Sequence, residues 1–303
     1  MGCFKTKYIL CLFFITSLSF SQSKLESFLT SSDTLNKHRR NAVVISEASV
    51  IGVTLIGLNQ LWYADYPKSK FHTIDDSGEW LQMDKAGHVF SSYQMGRLGA
   101  QALNWSGVSE KDQLIYGATL GFTFLTAVEV FDGFSEEWGF SWTDVLANGL
   151  GTGLYAGQEL LWNEQRMMLK FSFHQTHYAS KRPDKLGDGF LEQVLKDYNG
   201  QTYWLNINLH SFFKESNIPK WLDLSVGYGA DGMLSGLKDV DNQLLTNNYR
   251  SRQFYLSFDL NLSKIETKSH LLRSILGVFN VIKMPFPTIE FNKNGSVFHL
   301  LYY

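Results

Sequence analysis

The nine residues Phe254-Tyr255-Leu256-Ser257-Phe258-Asp259-Leu260-Asn261-Leu262 alternate strictly, with Phe and Leu at every second place and Tyr, Ser, Asp and Asn between them. A period of two places alternate side chains on opposite faces of a β-strand, so this stretch is a strand with one apolar face. The same pattern recurs where Tyr203, Leu205, Ile207 and Leu209 interleave with Thr202, Trp204, Asn206 and Asn208. It recurs again where Leu222, Leu224, Val226 and Tyr228 interleave with Asp223, Ser225 and Gly227. Met167 to His174, Thr288 to Phe291 and Val297 to Tyr303 are further strands, and together they read as an antiparallel sheet. The ending Leu300-Leu301-Tyr302-Tyr303 looks like the aromatic terminal strand of outer-membrane β-proteins. About six strands are nevertheless fewer than the eight of the smallest single-chain barrels, so a sheet partly closed by helices is expected, at most a partial outer-membrane-type barrel.

Before Gln165 the period is helical. One helix is expected from about Asn41 to Trp62, ended by Tyr63-Ala64-Asp65-Tyr66-Pro67, because the residue before a proline disfavours the helical region. A loop from Phe71 to Met83 leads to a second helix from Asp84 to about Trp105. Ser109 with Asp112 caps a third, to about Phe131, and Ser141 with Asp144 repeats that signature for a fourth, to about Glu164. Short links predict an antiparallel four-helix domain. The fold class is therefore α+β: helices over residues 39–164, then a β-rich domain over 165–303.

Glycines crowd the third and fourth helices, at Gly117, Gly121, Gly149, Gly151, Gly153 and Gly157. Each costs about 1 kcal/mol against alanine in a helix interior, so several in one helix imply a packing return. The series Gly149, Gly153, Gly157 predicts a face on which another helix comes close. Near the end of the chain, Leu271, Leu272, Ile275, Leu276, Phe279 and Ile282 form one side of an amphipathic helix, expected to cover the sheet; its other reading is a membrane-interface helix.

Ionisable groups set among the apolar runs of residues 71–162 mark a candidate site, since burying them is costly. Asp84 and His88 are four apart and share a helix face, where the carboxylate orients the imidazole. Glu129 and Asp132 sit one turn apart, and two close carboxylates raise one another's pKa; with His88 they could hold a divalent metal. The same residues have structural readings: Asp84 as a cap, His88 as a hydrogen-bonded core side chain, the carboxylates as solvated helix ends. Asp144, Asn148, Thr152, Tyr155 and Glu159 form a polar stripe that calls for a partner such as Lys85, Arg97 or His88. No GxSxG, HExxH, Walker or dinucleotide loop is present, and no organic cofactor is expected.

Spaced blocks across residues 71–160 resemble a known family. Asp75-Asp76, Glu79-Trp80, Asp84-Lys85-x-Gly87-His88, Tyr93, Glu129-Val130-x-Asp132-Gly133, Phe140-Ser141-x-x-Asp144 and Ala147-Asn148-x-x-Gly151 are similar, in order, to the YfiM-like predicted periplasmic lipoproteins, a bacterial domain of unknown function. The resemblance implies an envelope location and a helical domain, and no known activity. A fainter similarity links Asp-Lys-x-x-His and the later Asp-x-x-x-Asn to VanZ-like membrane proteins.

The rest of the sequence supplies an address. Lys5 and Lys7, the apolar run Tyr8 to Phe20 and Ser19-Phe20-Ser21 form a secretory signal peptide over residues 1–21, followed by a polar leader over 22–38. The only cysteines, Cys3 and Cys11, lie in that signal and neither sits in a lipobox, so no thiol chemistry is expected in the mature chain. A net charge of −2 with scattered Lys and Arg excludes a nucleic-acid surface, and export excludes nucleotide use. An exported protein of the outer membrane or periplasm is expected. Its helical domain would bind an outer-membrane lipid, an envelope glycan or an envelope protein partner. The alternative is a lipid- or glycan-modifying hydrolase or transferase with His88 as base, Asp84 orienting it, and Glu129, Asp132 or Asp144 as acid; that reading needs His88 within a water bridge of a carboxylate.

Overall fold

The computed structural model describes residues 24–63, 66–238, 240–241 and 250–303. The signal peptide, both cysteines, and Ala64 and Asp65 lie outside the described residues. Helix α1 spans Lys37–Leu58, with Asn36 capping it through its side chain, and runs on as a π-helical turn, Asn59–Tyr63. Strand β1 (Thr73–Ile74) precedes helix α2, Met83–Trp105. The third helix is irregular. Ser109 accepts a hydrogen bond from the Asp112 backbone N–H as its capping box requires, but a π-helical stretch, Gln113–Ala118, intervenes before α3, Leu120–Asp132. Strand β2 (Phe140–Ser141) pairs parallel with β1 and runs directly into α4, Trp142–Trp162, capped by Ser141.

Successive helices alternate in direction, but they do not form an even four-membered bundle. Helix α2 packs along both α3 and α4. Helix α1 meets the end of α2 near its own start, where Arg39 donates to the Trp105 carbonyl and lies over the indole, and only Val43 of α1 is buried. The close approaches are made through backbone. A Cβ on Gly121 would stand 2.3 Å from the Ser92 carbonyl oxygen, one on Gly96 2.4 Å from that of Ala118, and one on Gly151 2.1 Å from that of Val89. The predicted Gly149, Gly153, Gly157 face is not the one used. No atom approaches Gly153 or Gly157, and Gly151, on the other side of α4, makes the contact.

The sheet has six antiparallel strands in sequential order: β3 Met167–Phe173, β4 Gln201–Asn208, β5 Leu222–Asp231, β6 Ser251–Leu260, β7 Phe286–Asn292 and β8 Gly295–Tyr302. Helix α5, Phe190–Lys196, lies between β3 and β4 in sequence, and α6, His270–Phe279, between β6 and β7. The sheet curls without closing into a barrel among the described residues. Its free β3 edge meets Val281–Lys283, Phe171 bridging to Ile282, and Trp204 of β4 lies 6.1 Å from Tyr302 of β8.

The alternation places the polar face inside. Across the register, the row Asn206, Ser225, Ser257, Thr288 is buried, while Val226, Leu256, Ile289 and Phe298 of the neighbouring row are exposed. Lys170 and Asp259 form a fully buried ion pair at 2.9 Å, and the fully buried Asn206 donates to the same carboxylate. Lys283 donates to the Phe258 and Met284 carbonyls within that interior. The β3–β4 part of the apolar face is roofed by α2, with Phe90 against Phe171 and Tyr203, and Tyr228 of β5 packs beneath Leu81. Helix α6 does not cover the sheet: Leu271, Leu272, Ile275, Val278 and Phe279 are exposed and continue the apolar exterior. Two helical stretches, Lys37–Leu58 and Glu110–Asp132, are long and apolar enough to cross a membrane by length and composition.

Candidate functional site

Four segments distant in sequence bring the polar groups together. The β1–β2 pairing, Thr73 beside Phe140 and Ile74 beside Ser141, carries Asp76 to the start of α4. There Asp76 Oδ1 accepts from Ser141 Oγ at 2.7 Å and Thr143 Oγ1 at 2.8 Å. Trp80, Leu81 and Gln82 follow with left-handed φ of 45°, 52° and 65°, a conformation costing about 1–2 kcal/mol per residue. Packing holds that turn: the Tyr228 hydroxyl donates to the Leu81 carbonyl, and the Trp80 N–H to the Gly236 carbonyl at 3.0 Å. Helix α2 then begins at Met83, so Asp84 lies in its first turn and is not its cap.

Lys85 is the hub. Its Nζ donates to Asp76 Oδ2 at 2.5 Å, Asp84 Oδ2 at 2.9 Å and Asp144 Oδ2 at 2.9 Å, which uses all three ammonium protons. One turn on, His88 Nδ1 lies 3.0 Å from Asn148 Oδ1. Its Nε2 faces three carboxylate oxygens, Glu129 Oε1 at 3.7 Å, Asp84 Oδ1 at 3.8 Å and Asp144 Oδ1 at 3.8 Å. These separations exceed a hydrogen bond but are within reach of a bridging water or ion, so the enzyme reading's geometric requirement is met. Asp84 Oδ1 also accepts from the Tyr198 hydroxyl at 2.8 Å.

The electrostatics follow from too few cations in a dry place. Burial, with Asp144 and Asp132 nearby, pushes the Glu129 carboxyl up to about 9. Burial and Asp84 push Asp144 up to about 7 against the pull of His88 and Lys85, and burial takes Asp132 to about 6 although the Tyr63 hydroxyl hydrogen-bonds it. For Asp76 burial is outweighed by the Lys85, Ser141 and Thr143 hydrogen bonds, and it falls to about 2. Asp84 is likewise lowered, its burial overcome by His88 and Lys85, and Lys85 is raised despite burial by Asp84 and Asp144. Asp144 Oδ1 and Asn148 Nδ2 are buried without a hydrogen bond.

Above the cluster opens a cavity of about 280 Å³. It is lined by the ionisable Asp84 and His88, by Phe90, Leu125, Phe171 and Leu195, and by the polar Ser91, Gln201 and Tyr203. Gly87 admits the Tyr203 ring, since a Cβ there would stand 2.9 Å from its hydroxyl oxygen.

Of the residues singled out in the sequence, Asp84, Lys85, His88, Glu129, Asp144 and Asn148 therefore converge. Asp132 points away, accepting from the Tyr63 hydroxyl at 2.6 Å. Tyr93 and Arg97 belong to a separate network further along α2: Tyr93 donates to Gln165 Oε1 and the Met167 carbonyl, and Arg97 to Gln94 and Gln101. Asp76 and Tyr198 are site residues whose part the sequence did not reveal. Asp76 was visible only as a member of a motif block, and Tyr198, 114 residues from its partner, carried no signal.

Residues 74–157 match the family model of the predicted periplasmic lipoproteins, DUF2279. Every converging residue except Tyr198 falls inside that match, which agrees in extent and description with the resemblance of the motif blocks. The description is consistent with an exported, periplasmic protein of unknown function. No curated protein and no solved structure matches the chain.

Proposed function

We propose that this is an exported, membrane-associated envelope protein whose helical region binds the polar head of an envelope lipid in the cavity over Asp84 and His88. One observation carries the reading: the cavity lining joins the apolar Phe90, Leu125, Phe171 and Leu195 to the ionisable Asp84 and His88, the complement of an amphipathic molecule. The exterior supports it. Val53, Leu146, Leu150, Leu160, Phe254 and Leu300 are exposed on helices and sheet alike, and apolar surface of that extent marks an interaction face. A glycan would use the ionisable side chains but not the apolar ones; a protein partner would need an open groove.

The test is detergent extraction of the mature chain followed by mass spectrometry of bound lipid, for the natural protein and for Leu125→Trp, which fills the cavity. A lipid retained by the former and lost from the latter is expected. Release of the chain by carbonate without detergent, or equal lipid in both, would overturn the reading.

A second reading, a hydrolase or transferase acting on that lipid or on a glycan, is favoured by carboxyls held at about 6, 7 and 9, the range in which a general acid works at neutral pH. His88 would act as base with Asp84 orienting it, and Glu129 or Asp144 as acid. Asp132, hydrogen-bonded to Tyr63, would tune them. Turnover of envelope lipid lost on His88→Ala would establish this reading; binding without turnover would dismiss it.

A further inference from the structure

We propose that Asp84, His88 and Asp144 form a binding site for a divalent transition cation, with Glu129 facing the same ion. One ligand atom from each of the three residues lies within 4.8 Å of the other two. Bonds of about 2.0–2.2 Å in a tetrahedral shell put neighbouring ligand atoms about 3.3–3.6 Å apart, so His88 Nε2, 3.8 Å from Asp84 Oδ1 and from Asp144 Oδ1, needs to close by only a few tenths of an ångström, and the two carboxylates by at most about 1.5 Å.

The hydrogen-bonding pattern prepares these atoms for an ion. Asn148 presents its amide oxygen to His88 Nδ1, so Nδ1 donates there and Nε2 is the ring nitrogen turned toward the three carboxylate oxygens. An orienting partner on the other ring nitrogen is the usual support of a metal-ligating histidine.

Asp144 gives the second, independent observation. The residue is 4 % exposed, and its Oδ1 has no hydrogen bond. Lys85 Nζ straddles this carboxylate, 2.8 Å from Oδ1 and 2.9 Å from Oδ2, and is shared with Asp76 and Asp84. Charge balance points the same way, because three carboxylates, Asp76, Asp84 and Asp144, share the single Lys85 ammonium. A divalent ion would redress the deficit. One imidazole with carboxylates, and no thiolate, suits zinc or manganese and disfavours copper(I). Glu129, outside the mutual set but 3.7 Å from Nε2, would accept a hydrogen bond from water on the ion.

The test uses the full mature chain, stripped with a chelator and titrated with zinc or manganese alone, magnesium serving as the hard-cation control. One equivalent of a transition ion is expected, with a raised unfolding midpoint. His88→Ala should weaken binding more than about 100-fold, and Asn148→Leu, a positioning residue, about 10–100-fold. Glu266→Gln, an exposed carboxylate paired with Lys220, should leave it unchanged. X-ray absorption on the zinc-loaded natural chain needs no variant and should show one imidazole nitrogen with oxygens. Absence of binding by both ions, binding indifferent to His88→Ala, or an all-oxygen shell would each overturn the proposal.

Discussion

Two polar interiors lie in this molecule, and they differ in charge balance. Inside the curled sheet, Lys170 and Lys283 stand with Asp223 and Asp259, and the acids are saturated: Asp259 by Lys170, Asn206 and the Leu260 and Met284 N–H groups, Asp223 by Asn208 and Asn261. Around Lys85, Asp76, Asp84 and Asp144 share one ammonium, Glu129 faces only His88, and Asp144 Oδ1 and Asn148 Nδ2 go without a hydrogen bond. Balance makes the first interior self-sufficient. The second is incomplete, and incompleteness of that kind is what a ligand or ion corrects.

The largest expected effect falls on the balanced interior. Lys170→Met leaves Asp259 buried and short of its closest cation, and should cost about 3–5 kcal/mol in chemical denaturation. A loss under about 1 kcal/mol would erase the contrast between the regions. Next, Gly151→Ala drives a methyl into the Val89 carbonyl and should cost about 1–3 kcal/mol. That variant shows how much of the α2–α4 junction depends on backbone contact rather than on the polar groups.

Smaller, and opposite in sign, is the response of the unbalanced interior to charge removal. The Glu129 carboxyl titrates near 9 in the folded chain against 4.5 ordinarily, so its unfolded form releases the proton first as pH rises. Its stabilising contribution is complete below about 4.5 and lost as pH climbs through about 9. Without added metal, the thermal midpoint should fall over that window. Glu129→Gln should flatten the fall, with stability near pH 5 within about 1 kcal/mol of the natural chain. A midpoint that rises with pH would contradict the electrostatics described here. Least of all, Gly153→Ala meets open space and should stabilise by about 0.5–1 kcal/mol.

Local signals in the chain were reliable where the physics is local. The caps at Ser109 and Ser141 accept the N–H groups their spacing implied, and strand limits such as Met167–Phe173 and Gly295–Tyr302 fall within two residues of those expected. The candidate site was half legible. Asp84 and His88 share a helix face by spacing, whereas Asp76 reaches Lys85 only through the β1–β2 pairing, and Tyr198 reaches Asp84 only because the segment after α5 folds over α2. The left-handed turn at Trp80, Leu81 and Gln82 was not legible either, since none of those residues favours positive φ; tertiary contacts at Tyr228 and Gly236 impose it.

The sequence by itself determined the periods, the caps, the six strands and the motif blocks, all of which depend on residues a few positions apart. Only the tertiary structure decided which face of the sheet turns inward. A period of two is the same pattern whether its polar or its apolar face is buried, and the choice rests on whether ions such as Lys170 and Asp259 find partners across strands. It also decided that Gly151 rather than Gly153 meets a helix, and that the carboxylates outnumber their cations, because both depend on which groups meet in space and not on their spacing along the chain.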